Sequence, residues 1–83
     1  MDLKELNTNM FVRYKDKDGD SNVEAYEIGF TYINVKFYGT PKVYTYSYLK
    51  AGKQHVERMK VLAINGDGLN SYINTHCRNL YDR

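Results

Sequence analysis

The chain has 83 residues, 42% hydrophobic and 27% charged, which allows a single folded domain and excludes wholesale disorder. Twelve basic and ten acidic residues leave a net charge of +2, too balanced to indicate a dedicated nucleic-acid-binding domain by charge alone. A single cysteine, the absence of a signal-peptide pattern and the lack of a run of about 20 apolar residues lead us to expect a cytoplasmic protein without membrane association.

The first half of the chain is dominated by residues that favour β-strands. Residues 1–9 are polar and predict an N-terminal arm, whereas 10–14 has the composition of a short strand. The charged stretch 15–22 predicts a loop. A long β run then extends over 23–38, and Gly29 within it predicts a bulge or a bend.

The second half changes from strand to helix. Residues 39–42 predict a turn, and 43–48 alternates strictly enough to predict a strand. Apolar residues at helical spacing then predict a helix over 51–64, which Gly66 ends. A second helix is predicted to begin at 67 or 68 and to present apolar residues at six positions, namely Leu69, Tyr72, Ile73, His76, Cys77 and Leu80.

This order of elements predicts the fold class. Strands that precede helices favour an antiparallel sheet, because a parallel sheet needs alternating strands and helices. We therefore predict an α+β fold with a small antiparallel β-sheet of three or more strands, followed by two C-terminal helices packed on one face. The whole chain, 1–83, is predicted to be one domain with an N-terminal arm (1–9), a β-rich part (10–48) and two helices (51–81).

The direction in which the tyrosines of the 43–48 strand point depends on the length of the preceding loop. An even-length loop sets Tyr46 opposite Val35, so that Tyr44 and Tyr46 join the core. An odd-length loop aligns them with Tyr38 and Lys36 and forms an exposed platform suited to stacking unpaired bases. We favour the core arrangement, because even-length hairpin loops are common and the other face of this strand is poor in apolar residues.

Several short motifs follow one another along residues 28–81. They are Ile33-Asn34-Val35-Lys36-Phe37, then Gly39, Tyr44-Thr45-Tyr46 and Gly66, and finally Tyr72-Ile73-Asn74-Thr75-His76-Cys77-Arg78-Asn79-Leu80-Tyr81. With these motifs the chain resembles the KTSC domain, a family named after the C-terminal extension of some lysyl-tRNA synthetases. The chain departs from the family at Ala51-Gly52, where Val-Pro is frequent, and over 1–22. The resemblance implies RNA binding only by analogy with the synthetases.

The leading functional hypothesis is a small non-enzymatic binding module for RNA or single-stranded nucleic acid. Aromatic rings would stack bases and cations would contact phosphates, and the candidates are Tyr38, Tyr44, Tyr46, Lys36, Lys42 and Arg78. The alternative is a protein-interaction or oligomerisation module that docks its partner on an edge strand or on the tyrosine face. The sequence leaves the oligomeric state open.

A further alternative is a protein that sequesters a small nucleotide or another anion. Asn74 and Arg78 share a helix face, and backbone N–H groups at Gly66 and Gly68 could cradle an anion. Ordinary roles compete with this interpretation and are favoured. Arg78 would pair with an acid or stack on a tyrosine, and the glycines would cap helices, with Asp67 as the N-cap.

Other polar groups predict no metal, cofactor or catalytic centre. The acidic stretch 16–20 is similar to a calcium-binding loop, but its sixth position is Ser21, where glycine is needed, so a solvated loop is favoured. His55, His76 and Cys77 are too few for a zinc site, and His76 and Cys77 are expected to pack in the core. We therefore expect no enzymatic activity and no cofactor.

Overall fold

A computed structural model describes residues 10–19 and 21–83, so the predicted arm over 1–9 lies outside the described residues. Four antiparallel strands follow one another across the sheet in chain order, and two helical segments come after them. The elements are β1 (Val12–Arg13), β2 (Val23–Ile28), β3 (Tyr32–Phe37), β4 (Val43–Ser47), α1 (Lys53–Asn65) and α2 (Leu69–Tyr72), the last continued by a π-helical turn (Ile73–Cys77). The predicted α+β arrangement is confirmed.

The long β run predicted over 23–38 is two strands, because the chain reverses completely after Gly29. The Gly29 N–H donates to the Tyr32 carbonyl oxygen at 2.9 Å and closes the turn. A Cβ atom at position 29 would lie 2.1 Å from the Tyr32 ring, so only glycine fits this turn as it stands. The bulge lies instead between Val23 and Ala25, where the β2–β3 register shifts.

The core lies between one face of the sheet and the helices. Inward-facing strand residues alternate with outward-facing ones, as a half-buried sheet requires. The largest fully buried side chains are Tyr46, Ile33, Met59, Leu69, Val23, Val35, Val56 and Cys77. They come from three strands and both helical segments, so the helices pack on the same face of the sheet.

Helix α1 presents one narrow apolar stripe to the sheet. Val56, Met59 and Ala63 are buried at i, i+3 and i+7. The helix ends at Gly66, whose φ of 71° is the left-handed conformation that glycine adopts without strain. The Gly66 N–H donates to the carbonyl oxygens of Ala63 and Leu62, so the predicted end of this helix is confirmed.

The second helical segment differs from the continuous α-helix that its apolar spacing predicts. After one α-helical turn it widens into a π-helical turn, in which residues four apart stay closer to one line than in an α-helix. Leu69, Ile73 and Cys77 are all buried along that line. Gly68 precedes the helix without any side-chain cap, so the prediction that Asp67 is the N-cap is wrong.

The C-terminal residues fold back along β4. The Asp82 N–H donates to the Thr45 carbonyl oxygen at 2.7 Å, and the Ser47 hydroxyl donates to the Asp82 carboxylate at 2.7 Å. Part of the outer edge of the sheet is therefore covered by the chain itself, which protects it from pairing with other strands. Over residues 10–19 and 21–83, no helix has the length and apolar character needed to span a bilayer.

The outer face of the sheet carries a row of hydrogen-bonded polar side chains. The Thr45 hydroxyl donates to Asn34 Oδ1 at 2.5 Å, and Asn34 Nδ2 donates to Glu27 Oε1 at 2.6 Å. Glu27 is only 5% exposed, and its Oε2 atom has no hydrogen-bond partner among the described residues. A buried acceptor that lacks a partner costs stability, so Glu27 depends on its remaining bond to Asn34.

Candidate functional site

The β3–β4 register decides where the tyrosines lie. Tyr44 opposes Val35 and Tyr46 opposes Ile33, a shift of two residues from the predicted pairing that leaves the tyrosines on the core side. Tyr46 is 1% exposed, and burial raises the pKa of its hydroxyl. The core arrangement is therefore confirmed, and an exposed platform that unites Tyr44 and Tyr46 with Lys36 is wrong.

Lys36 lies on the opposite face of the sheet, away from the tyrosines. Its Nζ is 4.2 Å from the centre of the Phe11 ring, a cation–π contact on that face. Arg13 and Glu24 line a shallow depression beside it. Lys36 is therefore not part of a surface shared with Tyr44.

Tyr44 is half-buried and stands in an aromatic cluster at the edge of the core. Its ring centre lies 5.4 Å from that of Phe37 and 4.8 Å from that of Tyr81, both in edge-to-face geometry. Lys42 Nζ lies 4.7 Å from the Tyr44 ring centre and 5.0 Å from the Tyr81 ring centre. The cluster thus holds an exposed cation beside two tyrosines.

A cleft of about 400 Å³ opens between the β3–β4 hairpin and the second helical segment. We call it the tyrosine–arginine cleft. It is lined by Asn22, Phe37, Tyr38, Gly39, Thr40, Tyr44, Tyr46, Asn70, Ile73, Asn74 and Arg78. Its volume lies at the small end of the range for ligand pockets, and aromatic and amide groups make up most of its wall.

Arg78 and Asn74 enter this cleft from the π-helical turn. Asn70, Asn74 and Arg78 are spaced four residues apart, so they form one row beside the buried line of this segment. Arg78 is exposed and forms neither an ion pair nor a contact with an aromatic ring among residues 10–19 and 21–83. Within these residues, Arg78 therefore neither pairs with an acid nor stacks on a tyrosine, in contrast to what the competing interpretation expects.

Gly66 and Gly68 lie outside the tyrosine–arginine cleft. The N–H groups of Gly66 and Asp67 both donate to the Leu62 carbonyl oxygen, and the Leu69 N–H donates to the Tyr14 hydroxyl at 3.3 Å. The Gly66 N–H is therefore already used within the protein and is not free for an anion. The four residues of the anion-binding hypothesis are thus divided, since Asn74 and Arg78 line this cleft and the two glycines do not.

The two glycines instead border a second cleft of about 360 Å³. It is lined by Tyr14, Asp16, Asp18, Ser21, Gly66, Asp67, Gly68, Asn70, Ser71, Asn74 and Thr75. Asp16 accepts the Ser21 N–H on both carboxylate oxygens at 3.2 Å, which closes the loop on itself. In the described part of the chain, no group of three or more His, Cys, Asp or Glu side chains could hold a metal ion.

The histidines form a small surface cluster with Tyr72. His55 Nδ1 lies 2.8 Å from the Tyr72 hydroxyl, and the His76 ring lies 4.6 Å from the Tyr72 ring. His76 is exposed, so the prediction that it packs in the core is wrong. Cys77 is fully buried as predicted, and burial raises the pKa of its thiol.

Comparison of the chain with models of protein families, with curated proteins and with solved structures finds no match. The resemblance to the KTSC domain stays a prediction based on the quoted motifs. In the structure, residues of these motifs come together. Tyr44, Asn74 and Arg78 line the tyrosine–arginine cleft, and Tyr81 packs against Tyr44.

Sequence reasoning missed several members of this cleft. Asn22 and Asn70 line it, although neither carries a signal that separates it from an ordinary surface amide. Tyr81 does not line the cleft, but its ring packs against Tyr44 and Tyr46, and its place in the quoted C-terminal motif could have drawn attention to it. Arg83, 4.9 Å from the Tyr81 ring centre, adds a further cation beside the aromatic cluster.

Proposed function

We propose that this protein is a small binding module for single-stranded nucleic acid, with RNA as its main ligand. In this proposal, one or two nucleotides bind in the tyrosine–arginine cleft. One observation carries the proposal. The cleft brings together an exposed arginine that has no ion pair or ring contact among residues 10–19 and 21–83, an amide in the same row and two tyrosines from the facing hairpin. These are the groups that bind phosphates, base edges and base faces in single-stranded nucleic acids.

The aromatic part of the cleft supplies the stacking surface. Tyr38 is 47% exposed at the rim, and Tyr44 is half-buried deeper in the cleft. Edge-to-face contacts with Phe37 and Tyr81 hold the Tyr44 ring in place, so little side-chain entropy is lost when a base stacks on it. Stacking on one aromatic ring stabilises a bound base by about 1–3 kcal/mol.

The polar part supplies charge and hydrogen bonds. Arg78 lines the cleft, and Lys42 and Arg83 lie against the rings of its aromatic cluster. No acidic residue is among the described residues that line the cleft. Asn74 can donate and accept at once, which suits a base edge, while Arg78 can hold two phosphate oxygens.

The test is a fluorescence polarisation titration with a short, labelled single-stranded RNA of mixed sequence at low salt. We expect saturable binding below tens of micromolar protein, because non-specific affinity alone reaches that range. Arg78→Gln should weaken binding about tenfold, as expected for loss of one charge-assisted contact. Arg58→Gln, which removes an exposed charge from helix α1, is the matched control and should bind as the parent does.

Two outcomes would defeat the proposal. The first is no binding at these concentrations. The second is an equal loss of affinity in the Arg78 and Arg58 variants, since that result would indicate attraction by overall charge rather than recognition in the cleft.

A second candidate function is self-association, and a different observation favours it. Phe30 is 90% exposed and Leu49 is 98% exposed, and the bond from the Tyr48 N–H to the Thr31 carbonyl oxygen brings their two loops together. Large apolar side chains exposed on neighbouring loops are typical of contact surfaces. Light scattering would detect a dimer that the double substitution Phe30→Ser and Leu49→Ser dissociates, and a monomer at all concentrations would exclude this candidate.

A further inference from the structure

The floor of the tyrosine–arginine cleft carries a hydroxyl group in apolar surroundings. Tyr46 and Ile73 line the cleft and are only 1% and 4% exposed, so they form its deepest part. The Ile73 side chain forms no hydrogen bonds, whereas Tyr46 brings a hydroxyl that can donate and accept. The rim is different, because Arg78, Asn74 and Tyr38 are exposed there. A group of the ligand that reaches the floor therefore leaves water and meets the Tyr46 hydroxyl.

The Tyr46 hydroxyl has no hydrogen-bond partner among residues 10–19 and 21–83. In the same part of the chain, Glu27 Oε2 is the side-chain atom that lacks both a partner and any contact with solvent. The Tyr46 oxygen is thus not sealed in the core, and the small exposed fraction of this residue includes it. Buried tyrosine hydroxyls usually have a partner, so this one is available to a ligand in the cleft that Tyr46 lines.

The state of the hydroxyl determines which ligand group suits it. Burial raises the pKa of Tyr46, so the hydroxyl keeps its proton at neutral pH and offers it for a hydrogen bond. A phosphate at the apolar floor would lose its hydration without a charged partner, which is costly. A neutral acceptor avoids that cost. In a nucleotide, the carbonyl oxygens and ring nitrogens of the base are acceptors of this kind.

The neighbouring tyrosine supports the same orientation of the ligand. Tyr44 and Tyr46 lie on the core side of β4, and the half-buried Tyr44 ring is the stacking surface of the proposed function. A base stacked there can bring one edge to the floor while its phosphate stays at the exposed rim with Arg78. Building on the proposed function, we infer that the cleft reads one base of the strand and that the Tyr46 hydroxyl donates a hydrogen bond to an acceptor atom on the edge of that base.

Tyr46→Phe tests this inference, because it removes the hydroxyl oxygen and keeps the ring in the core. Parent and variant are titrated with the same short, labelled single-stranded RNA in fluorescence polarisation assays. We expect the variant to bind about tenfold more weakly, since a desolvated hydrogen bond to the base is lost. Urea denaturation without RNA should show no loss of stability, because the hydroxyl bonds to none of the described residues. A loss of affinity is then separated from a loss of folding.

Tyr26→Phe is the matched control. Tyr26 is also a largely buried tyrosine, 8% exposed, and burial raises its pKa as well, but it does not line the tyrosine–arginine cleft. This variant should bind the RNA as the parent does. Equal losses of affinity in the two variants would overturn the inference, because they would indicate a general effect of removing a hydroxyl from the core.

An RNA of the same length with abasic riboses in place of its bases tests the ligand side. In competition assays it should bind the parent at least about tenfold more weakly than the RNA with bases, and Tyr46→Phe should not weaken it further. If Tyr46→Phe weakened both RNAs equally, or weakened neither, the inference would be overturned and the proposed function would stand. If the parent bound neither RNA, the proposed function itself would be defeated.

Discussion

Asn34 links Glu27 and Thr45 across three strands, and its removal should have a large effect on stability. The substitution Asn34→Ala breaks the bond to the Glu27 carboxylate and the bond from the Thr45 hydroxyl. Glu27 is 5% exposed and already has one oxygen without a partner among the described residues. After the substitution, the other oxygen of this buried carboxylate would also lose its partner, the Asn34 amide.

The magnitude follows from these contacts. Each lost hydrogen bond costs about 1 kcal/mol, and a buried charged acceptor left without a partner costs about 1–3 kcal/mol more. Asn34 and Thr45 are half-buried, so water recovers part of the loss. We expect Asn34→Ala to lower the free energy of unfolding by about 3 kcal/mol, which lowers the Tm by about 12 °C or more in a domain of this size.

A double-mutant cycle measured by urea denaturation isolates the cause. Glu27→Met removes the buried charge at similar volume and should be close to neutral. In that background Asn34→Ala should cost only about 1 kcal/mol, which gives a coupling of about 2 kcal/mol between positions 27 and 34. The same cost in both backgrounds would refute the reasoning, because Glu27 would then not depend on Asn34.

Three further predictions concern the core and the helix end. Gly66→Ala should lower the free energy of unfolding by about 1 kcal/mol or more. The reasons are that Gly66 has a φ of 71° and that a Cβ atom there would lie 2.8 Å from Lys15 Cβ. An unchanged urea midpoint would contradict this prediction. The Cys77 thiol should react with a chromogenic disulfide reagent only in denaturant, because it is buried and burial raises its pKa; rapid labelling of the folded protein would count against this packing. Burial also raises the pKa of Tyr46 above its ordinary 10.0, so the unfolded chain loses that proton first. The contribution of the protonated Tyr46 to the free energy of unfolding is therefore complete below about pH 10 and declines above it. Urea titrations at a series of alkaline pH values should show that the free energy of unfolding falls less steeply with pH in Tyr46→Phe. Identical slopes in the two proteins would exclude this cause.

The fold class could be predicted from the sequence because it depends on the type and order of the elements, and local patterns indicate both. Alternation in β4 and helical spacing at Val56, Met59 and Ala63 are signals within one element. The turn after Gly29 was missed because its next residue is Phe30, an aromatic residue that favours strands. The π-helical turn was also missed, since the apolar spacing of an α-helix and of a segment with one wider turn differ little over so few residues.

The candidate site depended on a long-range relation that the sequence leaves open. Loop parity placed Tyr46 in the core, and the chain alone favoured that arrangement without fixing it. Tyr44 and Arg78 are 34 residues apart in the sequence, and they line the same cleft because the second helical segment packs on the sheet. Asn22 also lines the cleft but carries no local signal of that role in the sequence.

The most direct test of the central claim is a map of RNA contacts by nuclear magnetic resonance. Isotope-labelled protein is titrated with a short single-stranded RNA, and backbone amide shifts are followed. We expect changes concentrated at 38–44 and 70–78, with the Arg78 side-chain signal among them, and little change around Phe30 and Leu49. Changes centred on those two apolar residues, or spread evenly over all lysines and arginines, would contradict it.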